Sequence, residues 1–577
     1  MIKPKLSLNI SEIIKTDLEK TIEKLYQLKL DKNKIKASLP KDLIFADYTS
    51  NIAFIIAQEL KKSPDKIAKE IAENFKSKLV DKAIAERGYL NFWLNPKVYF
   101  KVLANSYERK LFIKQDKTVV CEFGQPNTHK VVHIGHLYSY ILGSALANLT
   151  DTCGFKVKRV NYQGDIGGHI AKCIYGLLQQ KQEYHKLTKL EQSQETIIKR
   201  GLFLQNCYFI GNKLYEDKVE IKEKINRINQ KLYNNDKEFE QIYKTTRQWS
   251  LDYIKVLEKK LNIVFDKYYF ESQTYKIGKK IVEKNIGTIF AKDQGAIIFK
   301  GEKYGLHTRV FINKYGIPTY EAKDLGLIQL KIKDFKPDLM IITTAKEQTE
   351  YFKVVFKTAE LIYQKLKGKI LHIGFGMVNL KSGKMSSRLN NIITAFDVIS
   401  ETETNIKQSY DTDDKTTEIL ANSAIKFSFL NTESDKDVFF DFDKSISKEG
   451  KSGPYLLYSL VRAKSILNKT QTKYDIQDLK NLVDSYNNLT DTEKLFIRKL
   501  FLYPETLKKS LETFSTHHLT QYLFDIAQIF NQNYQTIPII STKNLQLKKT
   551  RLFLTKIFES ILESGLNILG IQTVDKL

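Results

Sequence analysis

The sequence predicts an α/β fold in which a parallel-sheet, Rossmann-type domain with a helical insertion stands between a small N-terminal α/β domain and an all-α C-terminal bundle. Three observations carry that prediction. Residues 118–163 read strand, helix, strand, the unit from which parallel sheets are built. Strand patterns resume near residue 337 after a long charged, helix-rich stretch. From about residue 405 onward the apolar spacing is helical almost throughout. A chain of 577 residues has room for three or four domains. The expected divisions are 1–108, 109–400 and 401–577.

Taken in order, the first domain mixes helical patterns with strand-like pieces, among them IAFIIAQELKK (52–62) and GYLNFWL (Gly88 to Leu94). A strand begins at Thr118 (TVVCEF) and ends in a polar turn, Gly124 to Lys130. A helix follows from about Gly135 to Asn148, and KVKRVNYQ (Lys156 to Gln163) is the next strand. Residues 176–260 are strongly charged and nearly free of Gly and Pro, which reads as a helical insertion with one solvated face. PDLMIITTA (Pro337 to Ala345) and ILHIGFGMV (Ile370 to Val378) are further strands, the second leading into a Gly- and Ser-rich loop at Lys384.

The excess of Lys and Arg leaves a net charge of +26, which favours a polyanionic partner, nucleic acid first. A Lys-, Asn- and Ile-heavy genome would produce the same excess. Cys121, Cys153, Cys173 and Cys207 show no CxxC spacing, so neither a zinc site nor a disulfide framework is expected. The first residues lack the apolar core of a signal peptide, and no apolar run approaches the roughly 18 residues that span a bilayer. The chain reads as cytoplasmic.

Two short strings carry the chemistry. His133-Ile134-Gly135-His136 sits where the first strand has ended and a helix starts, and backbone N–H groups and the helix dipole there favour phosphate. Histidines three apart share a helical face and can both donate to phosphoryl oxygens. Gly135 leaves room for an adenine ring. Lys384-Met385-Ser386-Ser387 offers a compact ammonium and hydroxyl donors to a departing pyrophosphate, with Mg²⁺ accompanying the triphosphate. Alone, the first string also fits a helix-start accident or half a metal site, and the second fits any Lys- and Ser-rich loop. Together they point to a carboxylate activated by ATP, through donors preorganised around charge developing on the α-phosphate.

With these motifs the chain resembles the class I aminoacyl-tRNA synthetases, and its longer segments resemble the arginyl-tRNA synthetases. Those segments are EFGQPNTHKVVHIGHL (Glu122 to Leu137), NYQGDIGG (Asn161 to Gly168), GIPTYEAKDLGL (Gly316 to Leu327), TTAKEQTEYFK (Thr343 to Lys353) and GPYLLYSLVRAKSIL (Gly453 to Leu467), with similarity also over Asp47 to Pro64 and the last 27 residues. The resemblance implies a catalytic middle domain, an anticodon-binding C-terminal bundle and a tRNA-contacting N-terminal domain. It implies ATP-dependent attachment of L-arginine to tRNA(Arg) through an arginyl-adenylate. ATP with Mg²⁺ is then a substrate; zinc, an organic cofactor, a membrane and a partner subunit are not expected. His133, His136 and Lys384 would be catalytic. Gly135, Met385, Ser386 and Ser387 would join them around ATP. Tyr320, Asp324 and Gln348 would contact the arginine side chain with Glu271 as a further acid, while Gln125, Pro126, Asn127 and His136 hold its α-amino and carboxylate end. A planar guanidinium with five donors does require such acceptors. Read singly, Asp324 equally fits a helix N-cap, Tyr320 a core residue and Glu271 a surface charge. Tyr455, Tyr458 and Arg462 are candidates for tRNA contact, with Tyr534 and Arg551 behind them; bundle packing explains each as well.

Four positions depart from the family pattern: Gln125 stands for Ser, Tyr138 for Arg, Ile166 for Trp and Tyr351 for His. Two rivals remain on sequence alone. A synthetase for cysteine would want zinc, and one for glutamate would want Arg in the pocket. A catalytically silent RNA-binding relative would have no need of His133, His136 and Lys384 together.

Overall fold

In the computed structural model, residues 3–381, 392–470 and 479–577 are described. A five-stranded parallel sheet forms the centre of the molecule. Its strands are β1 (Thr118–Glu122), β2 (Lys156–Gln163), β3 (Lys267–Phe270), β4 (Leu339–Ala345) and β5 (Ile370–Phe375), in the order β5-β4-β1-β2-β3. Val119 and Val120 of β1 and the run Leu339–Thr344 of β4 are buried on both faces, as a largely apolar run at the middle of a parallel sheet should be. The chain builds outward from β1 through β2 to β3, then returns to add β4 and β5 on the other side of β1. The carboxyl ends of β1 and β4 therefore flank the point where strand order reverses, and open α/β sheets leave a ligand crevice there.

Helix α1 (Ile134–Thr152) connects β1 to β2 and is buried on nearly every side. One side lies under the sheet, where Gly143 allows contact: an added Cβ would stand 2.1 Å from Phe123 Cβ. At its far end Asn148 donates to the carbonyls of Asn567 and Ile568, the last turn of the C-terminal helix. The insertion comprises α2 (Gly168–Leu178), Lys181–Thr188, α3 (Gln194–Asp217), Val219–Tyr233 and α4 (Lys237–Lys260). Helix α5 (Glu271–Lys284) follows β3, α6 (Tyr320–Phe335) precedes β4, and α7 (Thr349–Ile362) precedes β5.

The N-terminal unit packs helices against an antiparallel sheet whose middle strand is Tyr89–Leu94. IAFIIAQELKK is helical over Ile52–Leu60. The C-terminal unit is helical, including α8 (Asp414–Leu430), α9 (Gly453–Asn468), α10 (Asp491–Phe501) and α11 (Leu545–Ile568); among the described residues no helix is long and apolar enough to cross a membrane.

Sequence patterning missed two things. Lys267–Phe270 is too short to announce itself, and the antiparallel strands Ala291–Asp293, Ala296–Phe299 and Arg309–Ile312 carry weak alternation. The apolar run Ile370 to Val378 is also not one strand. It breaks at Gly376, whose missing Cβ would lie 2.2 Å from the Lys436 carbonyl, and Val378–Leu380 pairs in parallel with Val438–Phe440 instead.

Candidate active site

At the end of β1 the chain turns sharply through Gly124, Gln125 and His129, all with positive φ (90°, 45° and 62°). Two non-glycine residues so placed cost about 1–2 kcal/mol each, a strain that clusters at ligand sites. The loop is held by Ser139, which donates to Thr343 O and accepts from Gly124 N, and by the backbone bridge of Asn127 to Gly164. His133 is the N-cap of α1. Its Nδ1 accepts from Gly135 N (3.1 Å), and His136 Nδ1 accepts from His133 N (3.4 Å). The rings lie 3.9 Å apart. At Gly135 an added Cβ would press on the His133 ring at 3.0 Å. Burial, helped by the Lys130 charge, lowers the His133 pKa; burial, with the His133 ring and Lys130 nearby, holds His136 well below the usual range. Both imidazoles are therefore neutral with Nδ1 accepting, so each Nε2 carries the proton and is the donor offered to a ligand.

The segment that re-enters at Ile392 lies against this motif. Ile134 N donates to Ile393 O (3.1 Å), and Ala395 N to Val132 O (2.8 Å). Lys384, Met385, Ser386 and Ser387 themselves lie outside the described residues.

Beside the loop is a pocket of three acids. Glu122, at the end of β1, forms a close ion pair with Lys331 of α6, both almost wholly buried. Glu271, first residue of α5, pairs with Lys323 at 2.6 Å, also buried. Burial raises the Glu271 carboxyl and Lys323 opposes it. Against the burial that would lower it, Glu271 and Tyr233 raise Lys323 above the ordinary lysine range. Asp324, one turn along α6 from Tyr320, is different. Its Oδ2 accepts from Tyr351 OH at 2.6 Å, and among the described residues no cation pairs with it. Burial, reinforced by Glu122 and Glu271, pushes it up to about 7, the Tyr351 bond and Lys331 opposing. Asp324 is not a helix cap; Thr319 holds that position.

The structure thus brings together Asn127, Glu271 and Asp324 in one group, and His133 and His136 in another at the start of α1. Asn127 Oδ1 and Glu271 Oε1 converge on Gly164, 2.1 and 3.4 Å from where its Cβ would be. Gln125 instead turns inward, its Nε2 donating to Glu122 Oε1 (3.1 Å). Pro126 is buried and its carbonyl accepts from Gly164 N. Tyr320 is 58% exposed with Lys323 Nζ 4.9 Å from its ring, and Gln348 is exposed at the N-cap of α7. Tyr138, fully buried, packs on Phe375 and Phe429.

Sequence reasoning overlooked Glu122, Lys323 and Lys331. The available signal was a carboxylate at the carboxyl end of the first strand, and two lysines, Lys323 and Lys331, within the helical pattern that carries Asp324. It also left the insertion without a purpose. Helix α4 braces both turns: Thr246 and Ser250 hold His129, while Arg247 binds buried Asp165 at 2.8 Å. Asp165 then accepts from Ser272 N and Oγ at the start of α5. In the C-terminal unit, Arg462 binds Asn531 and lies 5.3 Å from the Tyr534 ring, Tyr455 accepts from Asn531, and Tyr458 is half-buried. Arg551 is tied to Glu493.

The family model described as "tRNA synthetases class I (R), catalytic domain" matches residues 100–442, more than half the chain. The chain belongs to the class I tRNA synthetases (R). In this class I synthetase the model for the arginyl tRNA synthetase N terminal domain also matches residues 12–94, and the DALR anticodon binding domain model matches 456–577. Similar curated relatives are arginine–tRNA ligases from Borrelia hermsii (29% identical, 98% of this chain and 99% of that one) and Treponema denticola (28%, 90% and 91%). Among solved structures, the fold is shared with Thermus thermophilus arginyl-tRNA synthetase (TM-score 0.78, 21% identical, 99% and 100% covered) and the Plasmodium falciparum enzyme (0.78, 20%, 100% of each).

Proposed function

We propose that this class I synthetase attaches L-arginine to tRNA(Arg) with ATP, through an arginyl-adenylate. The observation that carries the reading is Asp324, a half-buried carboxylate with no ion-pair partner among the described residues, in a chain whose β1 leads into a neutral two-histidine helix start. A planar guanidinium completes such a site, whereas a glutamate side chain would add a fourth negative charge.

In this reading Asp324 takes the guanidinium, with Glu122 behind it and Tyr320 and Gln348 closing the outer side. Glu271 already has Lys323, and its free oxygen lies near Asn127 Oδ1; these two acceptors suit the substrate's α-ammonium. The arginine carboxylate attacks the α-phosphorus of Mg–ATP, a P–O bond forms, and pyrophosphate leaves. His133 and His136 donate from Nε2 to the developing charge, Gly135 lets the adenine approach, and Lys384, Met385, Ser386 and Ser387 would meet the pyrophosphate. The 2′-hydroxyl of the terminal adenosine then attacks the adenylate carbonyl, and AMP departs. No protein nucleophile is needed; alignment and electrostatics supply the rate. The net charge of +26 favours tRNA, with Tyr455, Tyr458 and Arg462 assigned to its anticodon arm. Both motifs and the pocket come from one chain, so the working unit is taken as a monomer, in the cytoplasm where charged tRNA is consumed.

The test is ATP–pyrophosphate exchange with each amino acid, with and without tRNA. Exchange should depend on arginine and rise sharply when tRNA is added; exchange supported by lysine or glutamate but not arginine would sink the assignment.

A further inference from the structure

Tyr351 has no part in the site as assigned, yet it reaches into it from a separate element. It lies in the first turn of α7, and its hydroxyl donates to Asp324 Oδ2 on α6 at 2.6 Å. The ring that carries the hydroxyl is itself fixed. Phe352 meets it edge-on at 5.0 Å, and the Arg309 guanidinium stands 5.3 Å from its centroid, held by Glu321 at 3.1 Å. The other ionisable groups facing Asp324 have partners: Glu122 has Lys331, Glu271 has Lys323, and the Tyr162 hydroxyl meets Thr274 at 2.9 Å. Among the described residues, the Asp324 carboxylate has the phenol as its one side-chain partner.

We propose that Tyr351 is the positioning residue of the amino-acid pocket: its hydroxyl engages one oxygen of Asp324 and aims the other at the arginine guanidinium. The inference rests on the arginine reading above. A carboxylate swings about its last bond, and a donor on a clamped aromatic arm removes that freedom before the substrate arrives. The same bond stabilises the ionised form, the one able to pair with a cation, against burial that has brought Asp324 to about 7.

Tyr351→Phe removes the hydroxyl and keeps the ring. A hydrogen bond to a charged group carries enough energy for a loss of about 10- to 100-fold. In ATP–pyrophosphate exchange with the full chain and tRNA, KM for arginine should rise by that factor while KM for ATP stays within about twofold. The pH at which arginine KM levels off should move upward. The Asp324 carboxyl band, isolated in infrared spectra by subtracting Asp324→Asn, should titrate at higher pH in Tyr351→Phe than in wild type. An unchanged arginine KM with an unchanged carboxyl titration overturns the proposal, as does an equal rise in both KM values, which would mark general loosening. Absence of arginine-dependent exchange in the wild type is a separate result, and it would defeat the arginine reading itself.

Discussion

At the scale of single residues the pocket is organised by which acids already own a cation. Glu122 and Glu271 each have a lysine partner within the fold, Lys331 and Lys323, and Asp324 has none among the described residues. Asp324 is left at about 7 because burial, not pairing, dominates its surroundings. Two consequences follow from the sign of that shift. Below about pH 7 the carboxyl holds its proton and cannot pair with a guanidinium that stays charged throughout, so arginine KM should fall as pH rises to about 7 and then flatten. In the ligand-free chain, the folded state binds this proton more tightly than the unfolded state does, so the Asp324 contribution to stability is lost as pH rises from about 4 to about 7. Asp324→Asn should therefore raise arginine KM at least about tenfold while raising, not lowering, the melting temperature of the ligand-free protein at pH 7.5. Exchange kinetics and calorimetry check both signs; a fall in melting temperature would mean that the ionised Asp324 carboxylate is stabilised by a cation in the fold.

At the scale of elements, the insertion is a brace whose geometry depends on two glycines. Helices α2 and α3 touch backbone to backbone: a Cβ on Gly176 would lie 1.9 Å from Cys207 O, and one on Gly211 would lie 1.8 Å from Lys172 O. Each helix thus supplies one glycine to face the other's backbone, and Cys173 Sγ reaches Leu204 O between them. Because backbone cannot yield as a side chain tip can, Gly211→Ala should force the helices apart at a cost of about 1–3 kcal/mol. The N-terminal end of α2 follows directly on the Asp165 turn that α4 and α5 hold, so exchange activity should fall with the melting temperature. A stable, fully active Gly211→Ala would show that the crossing does not position the turn.

At the scale of the whole molecule, buried polar links join units that are far apart in the chain. Asp47 of the N-terminal unit is 1% exposed and binds Arg498 of α10 at 2.6 Å, together with Leu94 N and Tyr99 OH. Lys426 of α8 is buried between two helix ends, donating to Leu261 O after α4 and to Gly570 O after α11. One ammonium thereby ties the catalytic insertion to the last helix, at the negative ends of two dipoles. Burial pushes Lys426 down to about 7. Its folded pKa lies below the unfolded one, so the unfolded chain holds more protons between about pH 7 and 10.5, and stability should gain as pH rises through that window. Lys426→Met leaves both carbonyls without a donor and should lower the melting temperature, by more at pH 9.5 than at pH 7. A deficit that shrinks as pH rises would contradict this account of the link.

What the sequence determined alone were the features written in local order. β1, α1 and β2 follow from alternation and helical spacing, and the same spacing puts His133, Gly135 and His136 at a helix start after a strand end; their chemistry is legible only together with the string at Lys384. The spacing of Tyr320 and Asp324, four apart, put them on one helix face, while their assignment to arginine came from the family resemblance. Only the tertiary structure decided how the acids divide their work. Glu122 and Lys331 meet across 209 positions, and Glu271 and Lys323 across 52. Whether a carboxylate is neutralised within the fold or left for a substrate is a matter of which cation packs against it, and no local pattern records a contact made between distant strands and helices.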